Sequence, residues 1–122
     1  TKPQVLLEFL ERRLDNTVYR LGLTPSRRIA RHLVSYGHFL INGRRSRSPG
    51  HIVRPGDRIQ IRESSRNLQP FDGLAIRLKK YKPPEWLELN DEDMTGTVKR
   101  LPKEEDRLIT YNLNKVIEYY SR

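Results

Sequence analysis

Between Thr24 and Arg62 the chain sorts apolar and cationic residues onto opposite sides of each expected element. Thr24-Pro25 is expected to open a helix, with Thr24 as N-cap and Pro25 at the first helical position. On a wheel of ~100° per residue, Ile29, Ala30, Leu33, Val34 and Tyr36 share one half, while Arg27, Arg28, Arg31, His32 and Ser35 share the other. Gly37 stops the helix as a left-handed C-cap. His38-Phe39-Leu40-Ile41 then runs into Asn42-Gly43 and leaves through Arg44-Arg45. Asn-Gly signals a tight hairpin because both turn positions need positive φ. Ile52-Val53 is expected as a further short strand and Arg54-Pro55-Gly56-Asp57 as a turn. Arg58-Ile59-Gln60-Ile61-Arg62 alternates as a half-buried strand, with both arginines on its wet face. Few folds accept this pattern. It predicts an α+β fold, a small module of helices packed on a short antiparallel sheet with an Asn-Gly hairpin.

The flanking segments extend that plan. Val5, Leu6, Phe9, Leu10 and Leu14 recur at helical spacing, which predicts a first helix over Pro3 to Asn16, stopped by Asp15-Asn16. A second helix is expected from Thr17 to Leu21, ending at Gly22. Beyond Arg62, Ser64 to Pro70 reads as a linker, and Phe71 to Tyr81 as a helix stopped by Pro83-Pro84. Glu85–Leu89 and Gly96–Arg100 read as paired strands around an acidic turn. Asn112 is placed to cap a terminal helix carrying Leu113, Val116, Ile117 and Tyr120. The chain thus divides into leading helices (1–23), a module core (24–66) and a C-terminal segment with a strand pair and a terminal helix (67–122).

Charge indicates what the surface is for. Of 122 residues, 24 are Lys or Arg and 15 are Asp or Glu. Residues 1–66 hold fourteen basic and five acidic side chains, whereas 67–122 hold ten of each, so the entire net charge of +9 lies in the first half. Thirteen of those fourteen are Arg. Guanidinium groups grip phosphate bidentately and stack on bases, which ammonium groups do not. The pattern is an electrostatic footprint for nucleic acid, with structured RNA the first candidate. No Cys is present, which removes disulfides and thiolate sites and fits a reducing compartment. No apolar run approaches the ~20 residues of a membrane span, and no signal-peptide pattern opens the chain. A membrane role is not expected. Because the first residue is Thr1 rather than Met, a trimmed fragment is expected.

Several strings carry a family resemblance. Leu6-Leu7-Glu8, Arg13-Leu14-Asp15-Asn16 with Val18-Tyr19-Arg20-Leu21-Gly22, and Ala30-Arg31 with Leu33-Val34-Ser35, Gly37-His38 and Asn42-Gly43 form a first block. Pro84, Trp86-Leu87, Met94, Gly96-Thr97, Lys99-Arg100, Pro102 and the terminal Val116-Ile117-Glu118, Tyr120-Ser121-Arg122 form a second. Together they resemble the bacterial-type small-subunit ribosomal protein S-four family across essentially the whole chain. The first block alone is shared by many proteins carrying the RNA-binding module named after it. The resemblance implies a structural constituent of the small ribosomal subunit, a primary rRNA-binding protein that helps nucleate assembly and supports translational accuracy. It further implies small-subunit ribosomal RNA and the neighbouring protein S-five as partners, and residence in the ribosome, cytoplasmic or organellar. Family members normally begin with a further N-terminal helical region, in some of them metal-binding, which is expected to be absent here.

Candidate contact residues fall into four groups. Arg27, Arg28, Arg31, His32 and Ser35 form a helix face without one acid, suited to the phosphates of a folded RNA junction. Arg44, Arg45 and Arg47 follow the hairpin turn. Arg54, Arg58, Arg62 and Arg66 form a third group, which would also suit the wet side of a strand. Arg12, Arg13 and Arg20 form a fourth, some of them expected to pair with Glu8, Glu11 or Asp15. Tyr36 and Phe39 flank Gly37 and are expected in the core, the alternative being that one of them stacks on a flipped base, and Trp86, Tyr119 and Tyr120 are expected in the core or in protein contacts. His32, His38 and His51 match no ligand spacing, so neither a metal nor any other cofactor is expected. Arg13-Leu14-Asp15 imitates the tripeptide around the catalytic aspartate of one pseudouridine synthase class. No residues remain for a catalytic domain, so Asp15 is expected to be structural and the chain not an enzyme. Other readings are a stand-alone RNA-binding assembly or quality-control factor, a modifying enzyme without its catalytic half, and binding to its own messenger RNA.

Overall fold

The structure, a computed structural model, describes residues 3–103. The expected terminal helix, Tyr119 and Tyr120 lie outside the described residues. Three helices lead the chain: α1 (Pro3–Glu11), α2 (Leu14–Arg20) and α3 (Arg27–Ser35). The first helix is shorter than its periodicity predicts. Leu14 N–H donates to the His51 carbonyl (2.8 Å), Asp15 N–H to that of Pro49 (3.1 Å), and Val53 N–H to that of Arg12 (2.9 Å). Arg13 also forms a β-bridge with Ile52, which is the only pairing of the expected Ile52-Val53 strand among the described residues. These long-range bonds interrupt the helix at Arg12–Arg13 and start a second one. Asp15 and Asn16 therefore lie in the first turn of α2 instead of ending α1.

Glycine shapes both later helix ends in the same way. After α2, Gly22 at φ +82 lets its N–H reach the Tyr19 carbonyl (2.9 Å) and the Leu23 N–H reach that of Val18 (3.2 Å). After α3, Gly37 at φ +81 repeats the double bond, Gly37 to Val34 (2.9 Å) and His38 to Leu33 (3.2 Å). The chain so reversed is fed directly toward the sheet. At the other end of α3 the cap is Ser26 and not Thr24: its hydroxyl accepts from the Ile29 N–H at 3.1 Å. Thr24 is buried and donates to the Ser26 carbonyl (3.0 Å), and Pro25 precedes the helix. A cap must stand just before the first helical residue, and Thr24 stands two residues too early.

The sheet has five antiparallel strands in the order β2-β1-β3-β5-β4. They are β1 (Phe39–Ile41), β2 (Arg44–Ser46), β3 (Arg58–Ile61), β4 (Leu87–Asn90) and β5 (Thr95–Val98). Asn42 and Gly43, at φ +52 and +83, make the expected two-residue turn between β1 and β2. The strand pair of the second half joins this sheet, with Arg58 opposite Thr97 and Ile59 opposite Gly96. Between them, residues 63–65 and 69–71 form short 3-10 turns, and α4 covers only Leu74–Leu78. The longer helix expected from Phe71 is cut off by Gly73, whose φ of +70 is incompatible with a continuing helix.

One apolar cluster holds these layers together. Leu14, Val18, Leu21, Leu23, Ala30, Val34, Phe39, Val53, Ile59, Ile61 and Trp86 are fully buried. Ile59 and Ile61 point inward while Arg58 is exposed, so the alternation of β3 appears as expected. Phe71 meets Phe39 edge-on at 5.8 Å, drawing the segment after β3 onto the same core. Tyr36 and Ile29 depart from the wheel, at 71% and 39% exposed. Only the narrow stripe Ala30, Leu33 and Val34 faces the body of the protein. A half-wheel is wider than the contact a single neighbouring layer makes.

Candidate nucleic-acid interface

The arginines divide by whether a partner within the protein has claimed them. Those of the leading helices have been claimed. Arg12 pairs with Glu8 (3.4 Å) and donates to the Val53 carbonyl (3.1 Å). Arg13 grips Asp15 with both Nε and Nη2, at 3.1 and 3.0 Å. Arg20 pairs with fully buried Glu11 at 2.9 Å. The pairings expected with Glu8, Glu11 and Asp15 are present, and Asp15 is structural, as anticipated. Burial pushes the Glu11 carboxyl above the ordinary range even though the Arg20 guanidinium opposes the shift.

The α3 face is partly claimed as well. Arg27 donates through Nε to Asn16 Oδ1 (2.7 Å) and lies over the Tyr19 ring at 4.5 Å. Arg31, on the exposed side, reaches Asp15 Oδ2 at 3.8 Å. Arg28, His32 and Ser35 are exposed, with the Ser35 hydroxyl donating back to the Arg31 carbonyl (2.9 Å). The expected charged face thus exists, but its first arginine is pinned to α2.

A second cationic group forms at the corner where α3 ends. A Cβ built on Gly37 would lie 2.9 Å from Arg45 Cδ and 3.2 Å from Arg47 Nε, so both side chains of the β2 hairpin arm cross the helix terminus. The partial negative charge of that terminus favours cations. Arg62 comes to the same corner because it follows β3, where its N–H donates to the His38 carbonyl (2.8 Å). The charge of Arg62, some burial, and the charge of Arg47 pull the Arg45 guanidinium below its ordinary pKa. His38 is likewise lowered, by burial first and then by Arg62 and Arg45, while its Nδ1 lies 2.7 Å from the Ser65 hydroxyl. Among the described residues, none of Arg45, Arg47 and Arg62 has a carboxylate within ion-pair distance. Like charges are thus held together with no counter-ion among the described residues, an arrangement that an external anion relieves.

The remaining arginines surround a turn. Arg44, Arg54 and Arg58 are exposed. Asp57 does not pair with any of them. It accepts from the Arg54 N–H (2.8 Å) and from the Asn42 amide (3.0 Å), and Asn42 Oδ1 accepts from the Arg58 N–H (2.9 Å). The acid so fixes two turns and leaves the guanidinium groups to solvent. The third group expected from sequence is divided: Arg62 joins Arg45 and Arg47, Arg54 and Arg58 stay at the turn, and the Nε of Arg66 is buried without a partner. Sequence reasoning missed His38 as a member of the corner. The signal was available in the strand register, since Arg62 falls opposite His38 once Phe39 pairs with Ile61.

Helices on a small antiparallel sheet with an arginine-rich hairpin corner define a protein of the S4-domain class, and a model of the S4 domain matches residues 12–59. Along nearly its whole length the chain is similar to small ribosomal subunit proteins. It is 47% identical over 117 residues to uS4A of Bdellovibrio bacteriovorus, covering 96% of this chain and 56% of that one. To uS4 of Persephonella marina it is 48% identical over 118 residues, covering 97% and 58%. To uS4 of Thermus thermophilus it is 49% identical over 118 residues, covering 97% and 56%. The chain thus matches uS4 proteins along nearly all of its own length and spans somewhat more than half the length of these relatives.

Proposed function

We propose that this chain is a non-catalytic, structural component of the small ribosomal subunit, docking on ribosomal RNA through the exposed face of α3 and the Arg45–Arg47–Arg62 corner. The observation that carries the reading is the corner itself, with Arg45 and Arg47 over Gly37, Arg62 beside Arg45, and no carboxylate within ion-pair distance among the described residues. Such a cluster recognises phosphates at fixed spacing, and RNA helices are read chiefly by backbone and shape. Arg28, Arg31, His32 and Ser35 continue the surface along α3, and Arg44, Arg54 and Arg58 extend it past the hairpin. Arg27 contributes by holding the start of that face against α2, while Arg12, Arg13 and Arg20 act chiefly as internal struts. Early docking of this kind would help nucleate subunit assembly and support translational accuracy. Protein S-five is the neighbour this role implies. The same surface would accept a mimic of the rRNA site in the chain's own messenger. The site of action is the ribosome. Among the described residues no helix is long and apolar enough to cross a membrane.

The test is salt-dependent binding to small-subunit rRNA. Arg45→Ala with Arg47→Ala is expected to weaken binding and to lower the slope of log affinity against log salt by roughly 0.7–0.9 for each phosphate no longer neutralised. An unchanged slope and affinity would show that the corner is the wrong surface. A chain absent from purified small subunits on sedimentation would favour a stand-alone factor instead.

A further inference from the structure

We infer that the cleft between α2, the Thr24-Pro25 turn and α4 holds a single unpaired nucleotide extruded from the bound RNA, a contact separate from the arginine corner; the inference rests on the reading of the chain as an RNA-binding protein. The cleft measures about 300 Å³, at the low end of small-ligand pockets. That is room for one nucleotide and not for a duplex.

Its walls have the chemistry a base and its phosphate require. Tyr81 is held as a fixed plate. Its hydroxyl donates to the Arg20 carbonyl at 2.6 Å, and one side of the ring lies on Gly22, where an added Cβ would come within 2.8 Å of it. Any side chain at position 22 would displace the ring. Tyr81 is nevertheless 40% exposed and lines the cleft, leaving aromatic surface available for stacking. Tyr19 lines it too, but its ring already carries Arg27 at 4.5 Å, so it serves as a wall.

Charge selects the ligand further. The Arg20 guanidinium is taken up by buried Glu11. Arg77 is exposed, donates only to the Asp72 carbonyl (2.9 Å), and has no carboxylate partner among the described residues. A ring plate and one uncompensated guanidinium across a nucleotide-sized cleft fit base stacking with a phosphate contact, the pairing used by proteins that hold unstacked bases. Neither feature was singled out by sequence, because Tyr81 and Arg77 lie in the segment without excess charge.

The experiment compares the full chain's affinity for an RNA hairpin carrying a one-nucleotide bulge with that for its fully paired counterpart. The bulged hairpin is expected to bind about tenfold tighter, as one stacked base contributes. Arg77→Ala and Tyr81→Leu, with folding checked by thermal melting, should bring the two affinities together while leaving the paired hairpin bound within about twofold. Should Tyr81→Leu fail to fold, the exposed Arg77→Ala carries the comparison. A 2-aminopurine at the bulge should be quenched by the native chain and less so by Tyr81→Leu. No preference for the bulge in the native chain overturns the inference, as does adenosine monophosphate binding more tightly than the bulged hairpin, which would assign the cleft to a free nucleotide. A weakening that is equal on both hairpins places Arg77 in general docking and also overturns it. A chain that binds neither RNA overturns the docking reading, and this inference with it.

Discussion

His38 shows how much a single side chain can report about a charged surface. Its depressed pKa means that the folded protein prefers the neutral ring, and the unfolded chain binds the proton more readily. Stability is therefore full above the ordinary value of 6.5, declines as pH falls from there through the folded pKa, and levels off below it. Urea midpoints at pH 7.5 and pH 5.5 should show a larger drop in the native chain than in His38→Asn. Phosphates set against Arg62 and Arg45 would offset part of the repulsion. Adding RNA should accordingly move the His38 ring-proton titration upward in NMR, and an unmoved titration would place the phosphates elsewhere. The same scale explains why Arg27 was hard to read: wheel geometry puts it on the outer face, and only the folded arrangement brings Asn16 within 2.7 Å.

At the scale of elements, what was legible was what is local. The third helix, its glycine stop, the Asn-Gly hairpin, the Arg54–Asp57 turn and the alternation of β3 each follow from a few neighbouring residues. The break between α1 and α2 does not, since it is made by backbone bonds to residues 49–53. The cap illustrates a smaller error of the same kind. Ser26→Ala should cost about 1 kcal/mol in chemical denaturation, whereas Thr24→Val should leave the start of α3 intact. Gly96 is decided by packing between elements. Leu21 of the α2 terminus lies against it so closely that a Cβ would collide with the leucine side chain. Gly96→Ala should thus destabilise by about 1–3 kcal/mol, with thermal melting as the readout and Leu21→Val as a partial rescue. The candidate site shows the same division. The residue types were visible, but their grouping depended on register, which brought Arg62 to Arg45 and away from Arg54.

For the whole molecule, the decisive fact is that the middle strand of the sheet, β3, is paired on one side by β1 and on the other by β5. Residues 62–86 connect β3 to β4, two strands held in one sheet because each pairs with β5, and their anchors Phe71, Leu74 and Leu78 enter the common core. The covalent link across the exposed turn at Asn67-Leu68 is consequently dispensable once folding is complete. A protease cut there should leave two fragments that co-elute, melt in one transition and part only under denaturant; fragments that separate in native buffer would mean that the sheet does not span the junction. The protein is in this sense a dimer of its own two halves, joined by a tether and zipped along β3 and β5.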